Sequence, residues 1–120
     1  MPTYRRERAA DFIKEELTLM LRNSVADPRV QSLIITDVNL TRDRHIARVF
    51  VACYDGEDAL KEGLEGLEHA KGFLRRELSQ LLPWRFCPEI EFRADRSLQY
   101  GSRIDALLGG LGPKDNQEQS

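Results

Sequence analysis

The segment DGEDALKEGLEGLEHAKGFLRRELSQLL, residues 55–82, decides how this chain is read. Leu60, Leu64 and Leu67, then Leu74, Leu78 and Leu81, recur at steps of three and four, the apolar stripe of an amphipathic helix. The spacing predicts a helix over about 57–82, stopped by Pro83. At Ala70-Lys71-Gly72 the stripe is interrupted: a slot due to be apolar holds Lys71, and Gly72 is a poor helix former with wide backbone freedom. The expectation is a structural kink at Ala70 and Gly72, with a separate helix on either side. Gly63 and Gly66 also weaken the helical signal of the first half. Charge changes sign at the same place. Asp55, Glu57, Asp58, Glu62, Glu65 and Glu68 precede the break against Lys61 alone, and Lys71, Arg75 and Arg76 follow it. A helix acidic before its break and basic after it suits a surface that meets a polyanion on one side only.

Outward from this segment the chain alternates helical and strand patterns. Ala9, Phe12, Ile13, Leu17, Met20 and Leu21 keep helical spacing, so residues 4–24 read as a first amphipathic helix, broken by Asp27-Pro28-Arg29. Leu33–Leu40 is a strand by its β-branched content. His45–Tyr54 is a second, with Ala47, Val49, Val51 and Cys53 on one face and Arg48, Phe50 and Ala52 on the other. Thr41-Arg42-Asp43-Arg44 forms the hairpin loop between them. Ile90 and Phe92 alternate with Glu91 and Arg93 in a third strand. Ser102 and Asp105 resemble a capping box before Ile104, Leu107, Leu108 and Leu111, giving a short final helix ended by glycines, and residues 113–120 form a polar tail without fixed structure. Three strands with helices on one face make a single two-layer α+β domain. The pattern leaves the order of strands open.

The formal charge is −2 over 120 residues, but the charges are segregated. Outside the acidic stretch 55–68 and the tail, 16 basic groups stand against 12 acidic ones. Of the 18 cations in the chain 14 are arginine, the side chain suited to bidentate phosphate contacts, although surface ion pairing accounts for most single arginines. Cys53 and Cys87 are too few for a four-ligand metal site and lack redox spacing, and Cys53 reads as a buried thiol. His45 and His69 are isolated, Ser24, Ser97 and Ser102 lack a nucleophile's context, and no glycine-rich phosphate loop exists. No run approaches membrane length and the N-terminus lacks an apolar targeting core, so a cytoplasmic, non-catalytic protein is expected.

The element order, with a glycine break between two helices, resembles the type II KH fold of RNA-binding proteins. A KH domain proper carries a Gly-x-x-Gly loop there, which clamps single-stranded backbone. Ala70-Lys71-Gly72 in its place is similar to the Ala-x-Gly kink of the ribosome-binding factor A family, bacterial small-subunit assembly factors. Other stretches agree with that family in order: Asp27-Pro28-Arg29, the Thr41-Arg42-Asp43 turn before Ala47–Val51, Arg85–Phe92 against the pattern Arg-x-x-Pro-Glu-Leu-x-Phe, Asp95-Arg96-Ser97-Leu98, and Gly101, Ile104, Leu107 and Leu108. The match spans residues 4–111, and Pro83-Trp84 and the short tail after Gly112 depart from it. The resemblance implies a KH-like type II domain over 1–112 in the order α-β-β-α-(kink)-α-β with a short C-terminal helix. It implies a monomeric factor without cofactor or metal that binds the free 30S small ribosomal subunit or its precursor. There it assists late maturation and 16S rRNA processing near the rRNA 5′ region, with small-subunit proteins as further partners, and then dissociates.

Candidate RNA-binding residues fall in four groups. Lys71, Arg75 and Arg76 follow the break, with incomplete local pairing, and favour phosphate contact over a solvated face. Arg42 and Arg44 sit at the hairpin tip, where a solubilising turn is an equal reading. Arg5, Arg6 and Arg8 open the first helix, where cations oppose the macrodipole, so a partner or a frayed end would account for them. Arg85 lies between Trp84, balanced between core and base stacking, and Phe86, read as core. Arg29 reads as a structural pin of the turn after Pro28. The carboxylates of 55–68 look like a solvated face that repels RNA, or one that meets a basic protein. The rival readings are a general single-stranded RNA-binding KH-like domain and a protein-interaction module without RNA contact.

Overall fold

The computed structural model describes residues 2–97, with the side chains of 2–4 left aside. The expected final helix and the tail 113–120 lie outside the described residues. Helix α1 (Pro2–Asn23) opens the chain, as its apolar spacing predicts. Asp27 does more than end it. Its carboxylate accepts the N–H of Arg29 at 2.9 Å, and Pro28 takes the first helical position, so Asp27-Pro28 starts a one-turn helix, α2 (Pro28–Gln31). Strands β1 (Leu33–Leu40) and β2 (Ile46–Cys53) pair antiparallel, with a register shift between Ile35 and Asp37 that leaves Thr36 unpaired. After helix α3 (Glu57–Leu81), β3 (Glu89–Ala94) joins β2 in parallel, giving the order β1-β2-β3. A parallel pair needs a crossover element, and α3 supplies it.

The face of β2 expected to be inward is inward: Ala47, Val49, Val51 and Cys53 are 1% exposed or less. Ile13 and Leu17 of α1 and Leu60, Leu67, Leu74 and Leu78 of α3 complete the core against that face. Leu81, expected in the same stripe, is exposed, and Leu82, the residue that caps α3, enters the core in its place.

The separation of this segment into two helices is corrected. One helix of 25 residues runs without interruption from Glu57 to Leu81, and Ala70, Lys71 and Gly72 keep helical hydrogen bonding. A glycine inside a helix costs about 1 kcal/mol, which burial of leucines on both sides of it readily outweighs. Lys71 occupies the apolar slot at the rim of the helix–sheet contact. Its ammonium nitrogen lies over the Phe92 ring, 5.9 Å from the centroid, and meets Glu68 Oε1 at 2.9 Å. The glycines that shape the packing are the other two. A Cβ at Gly63 would lie 2.6 Å from Leu33 Cδ2, and one at Gly66 would lie 2.9 Å from Val30 Cγ2. The missing side chains let α2 and the start of β1 sit directly on α3.

Candidate nucleic-acid interface

Chain direction sorts the charges. Strand β2 runs away from the 41–45 hairpin tip, and α3 returns toward it, so the start and end of α3 lie at opposite ends of the domain. Asp55, Glu57, Asp58 and Glu62 therefore gather at the end remote from the hairpin, on or before the first turns of α3, where carboxylates stabilise a helix N-terminus. Part of the acidic stretch is used internally. Glu57 binds Arg96 in a bidentate pair with Oε1 and Oε2 each 3.1 Å from Nε, Glu65 meets Arg29 at 3.5 Å, and Glu68 holds Lys71. Arg29 is the pin expected of it: its guanidinium reaches Asp27 Oδ2 at 2.7 Å, and His69 Nδ1 lies 3.3 Å from the same nitrogen. This guanidinium holds the Asp27 carboxyl below its usual range.

The hairpin end assembles from four segments. At the tip, the Asp43 carboxylate accepts the Thr41 hydroxyl at 2.8 Å and the His45 N–H at 3.0 Å, and both bonds pull its pKa down. Arg44 adopts φ +64°, a left-handed conformation uncommon outside glycine, asparagine and aspartate, and its guanidinium carbon lies 5.0 Å from the centre of the Trp84 ring. His45 stacks flat on Phe86, centroids 4.4 Å apart and planes 5° from parallel, and its carbonyl accepts the Glu89 N–H at 2.8 Å. The hairpin tip and the 82–88 loop are thereby one surface. Arg75 fastens that loop to α3, donating to Cys87 O at 2.9 Å and Pro88 O at 3.2 Å and pairing with Glu89 at 3.2 Å. On the α1 side, Arg6 lines a depression with Asn39 and Leu40, just before the hairpin, together with the carboxylates Glu7, Asp11 and Asp37.

Of the nine candidate cations, the topology brings Arg42, Arg44, Arg75, Arg76 and Arg85 to this end, with Arg6 on its α1 flank, and Arg5 is exposed on the same helix. Arg42, Arg76 and Arg85 are exposed and make no ion pair among the described residues. Arg8 is exposed on the same helix. Two candidates carry structural duties: Arg75 straps the loop, and Lys71, part-buried, is tied to Glu68 one turn back. The pairing that looked incomplete in the sequence is completed for both, through Glu89 at the start of β3 for Arg75, a partner that no helical spacing would show. Phe86, expected in the core, is 42% exposed and caps His45 instead, while Trp84 is half-buried under Arg44. The 82–88 loop is short and held from both sides, which keeps Phe86 out on the surface. Sequence reading missed the His45–Phe86 stack, since the two residues meet only when β3 pairs in parallel beside β2. Gly72 is open, with nothing within 4 Å of a built Cβ, and shares a shallow depression with Arg75, Arg76 and Ser79.

No helix among the described residues is long and apolar enough to cross a membrane. Residues 5–108 match the family model described as ribosome-binding factor A. A ribosome-binding factor A of Dictyoglomus thermophilum is 44% identical over 115 residues, covering 95% of this chain and 96% of that one. The solution NMR structure of a Thermotoga maritima protein superposes with a TM-score of 0.70 at 29% identity, over 81% of this chain and 92% of that one. A homology model of the Thermus thermophilus ribosome binding factor A, fitted into the cryo-EM map of a 30S complex, aligns with a TM-score of 0.52 at 25% identity, over 71% and 93% of the two chains. The chain belongs to the ribosome-binding factor A family.

Proposed function

We propose that this chain is a non-catalytic ribosome-assembly factor with a KH-like type II fold that works in the cytoplasm. It binds the free 30S subunit or its precursor, assists late maturation and 16S rRNA processing near the rRNA 5′ region, and then leaves. The observation that carries the reading is the segregation of charge. Exposed arginines without ion pairs among the described residues (Arg42, Arg76 and Arg85) gather at the hairpin end beside Asp43, Glu77 and Glu89, while Asp55, Glu57, Asp58 and Glu62 gather at the opposite end. The Thermus relative in its 30S complex supports the partner. Arginines on phosphates fix position more than they read sequence, which suits docking on one folded rRNA site.

Gly72 deepens this surface. Its bare backbone between Lys71 and Arg76 allows a phosphate backbone to approach α3 closely, where a side chain would hold it off. The rival reading of a general single-strand binder lacks the Gly-x-x-Gly clamp. The rival protein-interaction module loses support because Glu57, Glu65 and Glu68 are already engaged within the chain.

Co-sedimentation with 30S subunits over a salt series tests the proposal. Each phosphate contact contributes roughly −0.7 to −0.9 to the slope of log K against log salt, so replacing Arg42, Arg76 and Arg85 with Gln should flatten it by about 2 to 3. An unchanged slope with unchanged affinity would rule out the hairpin end as the contact.

A further inference from the structure

We propose that the ring of Phe86, held flat against His45, is a stacking platform for one unpaired nucleobase of the RNA that docks on the basic end. The inference rests on the proposed RNA docking and adds to it a contact made by a base. One face of Phe86 is covered by the His45 imidazole at 4.4 Å and 5°, yet the residue remains 42% exposed, so its open surface is the opposite face and edge. A loose phenylalanine on a loop would turn its ring inward, and this one is fixed outward from two directions. His45 follows the left-handed Arg44 and is anchored through the Asp43 carboxylate, and Cys87, next to Phe86, gives its carbonyl to Arg75 at 2.9 Å. A ring held in this way loses little freedom when a second ring stacks on it.

The chemistry around the ring selects the occupant. Arg85 precedes Phe86 in the loop, and Arg42 and Arg44 share the hairpin tip with His45; Arg44 stands over the neighbouring Trp84. Of the nearby carboxylates Glu89 is paired with Arg75, and Asp43, which accepts from Thr41 and His45, keeps its charge, as does Glu77; five arginines (Arg42, Arg44, Arg75, Arg76 and Arg85) stand against these three at this end. An open aromatic face in a loop that also carries the exposed Arg85, beside a hairpin tip that carries Arg42, suits a base with its attached phosphates, and every base offers a π-face to it. An apolar protein segment would find the ring but leave the arginines unmatched.

Trp84 is the only tryptophan in the chain and reports from the same loop. Its fluorescence is followed while the full chain is titrated at low salt with a short oligoadenylate and with an abasic oligomer of the same length. The two probes carry the same phosphates and differ in their bases. Stacking of one base should make the oligoadenylate bind roughly tenfold more tightly or better. Phe86→Ala should erase the difference and Phe86→Tyr should keep it. Phe86→Leu retains apolar bulk without an aromatic face, so it should also erase the difference should the alanine variant unfold. Equal affinity of the wild-type chain for the two oligomers overturns the platform, as does a preference that survives in Phe86→Leu. Sedimentation with 30S subunits separates the levels: subunit binding without base preference removes the platform alone, and no subunit binding removes the docking beneath it.

Discussion

A methyl group placed at Gly63 should weaken this domain, and the same group at Gly72 should strengthen it. Both glycines lie in α3, so the change in helix propensity is similar: replacing glycine by alanine in a helix gains about 0.5–1 kcal/mol. The surroundings differ. At Gly63 the new Cβ falls 2.6, 2.8 and 2.9 Å from Leu33 Cδ2, Cγ and Cδ1, inside any normal contact distance. Leu33 is half-buried at the start of β1, so it can move only by leaving its place against α3. Overpacking of this kind costs about 1–3 kcal/mol, which leaves a net loss of up to about 2.5 kcal/mol, centred near about 1, after the propensity gain. At Gly72 nothing lies within 4 Å, and the gain stands alone. The two variants should therefore differ by about 2 kcal/mol, or roughly 8 °C in unfolding midpoint. Urea denaturation followed by far-UV circular dichroism reads both. If Gly63→Ala is as stable as Gly72→Ala, the close approach of Leu33 to α3 is not what that glycine serves. If Gly72→Ala is destabilised, the backbone there is not the ordinary helix described above.

Gly72→Ala should also separate stability from docking: its 30S affinity should fall although its unfolding midpoint rises, and affinity equal to wild type would contradict a close backbone approach at that point. Arg75→Ala should cost about 1–2 kcal/mol in urea unfolding through the lost bonds to Cys87 and Pro88, whereas Arg76→Ala should leave stability unchanged and weaken 30S binding. Acid sensitivity follows from the carboxylates. Arg29 holds Asp27 below its ordinary 3.8, and Arg96 and Arg48 hold Glu57 and Glu91 below 4.5. A lowered folded-state pKa adds stability that is complete above the ordinary value and lost as pH falls through the folded one. The urea midpoint should thus stay level from neutral pH to about 5 and decline below about 4.5. Asp27→Asn should shrink that decline, and an identical acid limb in the variant would argue against the Asp27–Arg29 clamp.

Elements that depend on local periodicity were legible in the sequence, and those that depend on distant partners were not. The stripe of Leu60, Leu67, Leu74 and Leu78 is buried as its spacing requires, and so is the alternating face of β2. Gly72 misled because propensity is a weak term: a helix packed over most of its length carries one glycine without breaking. Gly63 and Gly66, which looked like weak points, turn out to be sites of close approach, and no local pattern shows what will lie opposite. Asp27-Pro28 carries an N-cap signal that was legible, although read only as a stop, it hides the one-turn α2. At the candidate site, the charge reversal pointed to Lys71, Arg75 and Arg76, of which Arg76 alone is exposed without an ion pair among the described residues. The strap made by Arg75, the Lys71–Phe92 contact and the His45–Phe86 stack needed the parallel docking of β3 beside β2. Phe86 then sits where chain geometry holds it, exposed in spite of its hydrophobicity.

The central claim is directional: the hairpin end meets rRNA and the start of α3 turns away from it. A cryo-EM reconstruction of this chain on the 30S subunit measures that orientation. The account predicts rRNA backbone against Arg42, Arg85, Arg76 and the open surface at Gly72, with Asp55, Asp58 and Glu62 facing solvent. A reconstruction with the acidic end seated on the subunit and the hairpin tip in solvent would contradict it.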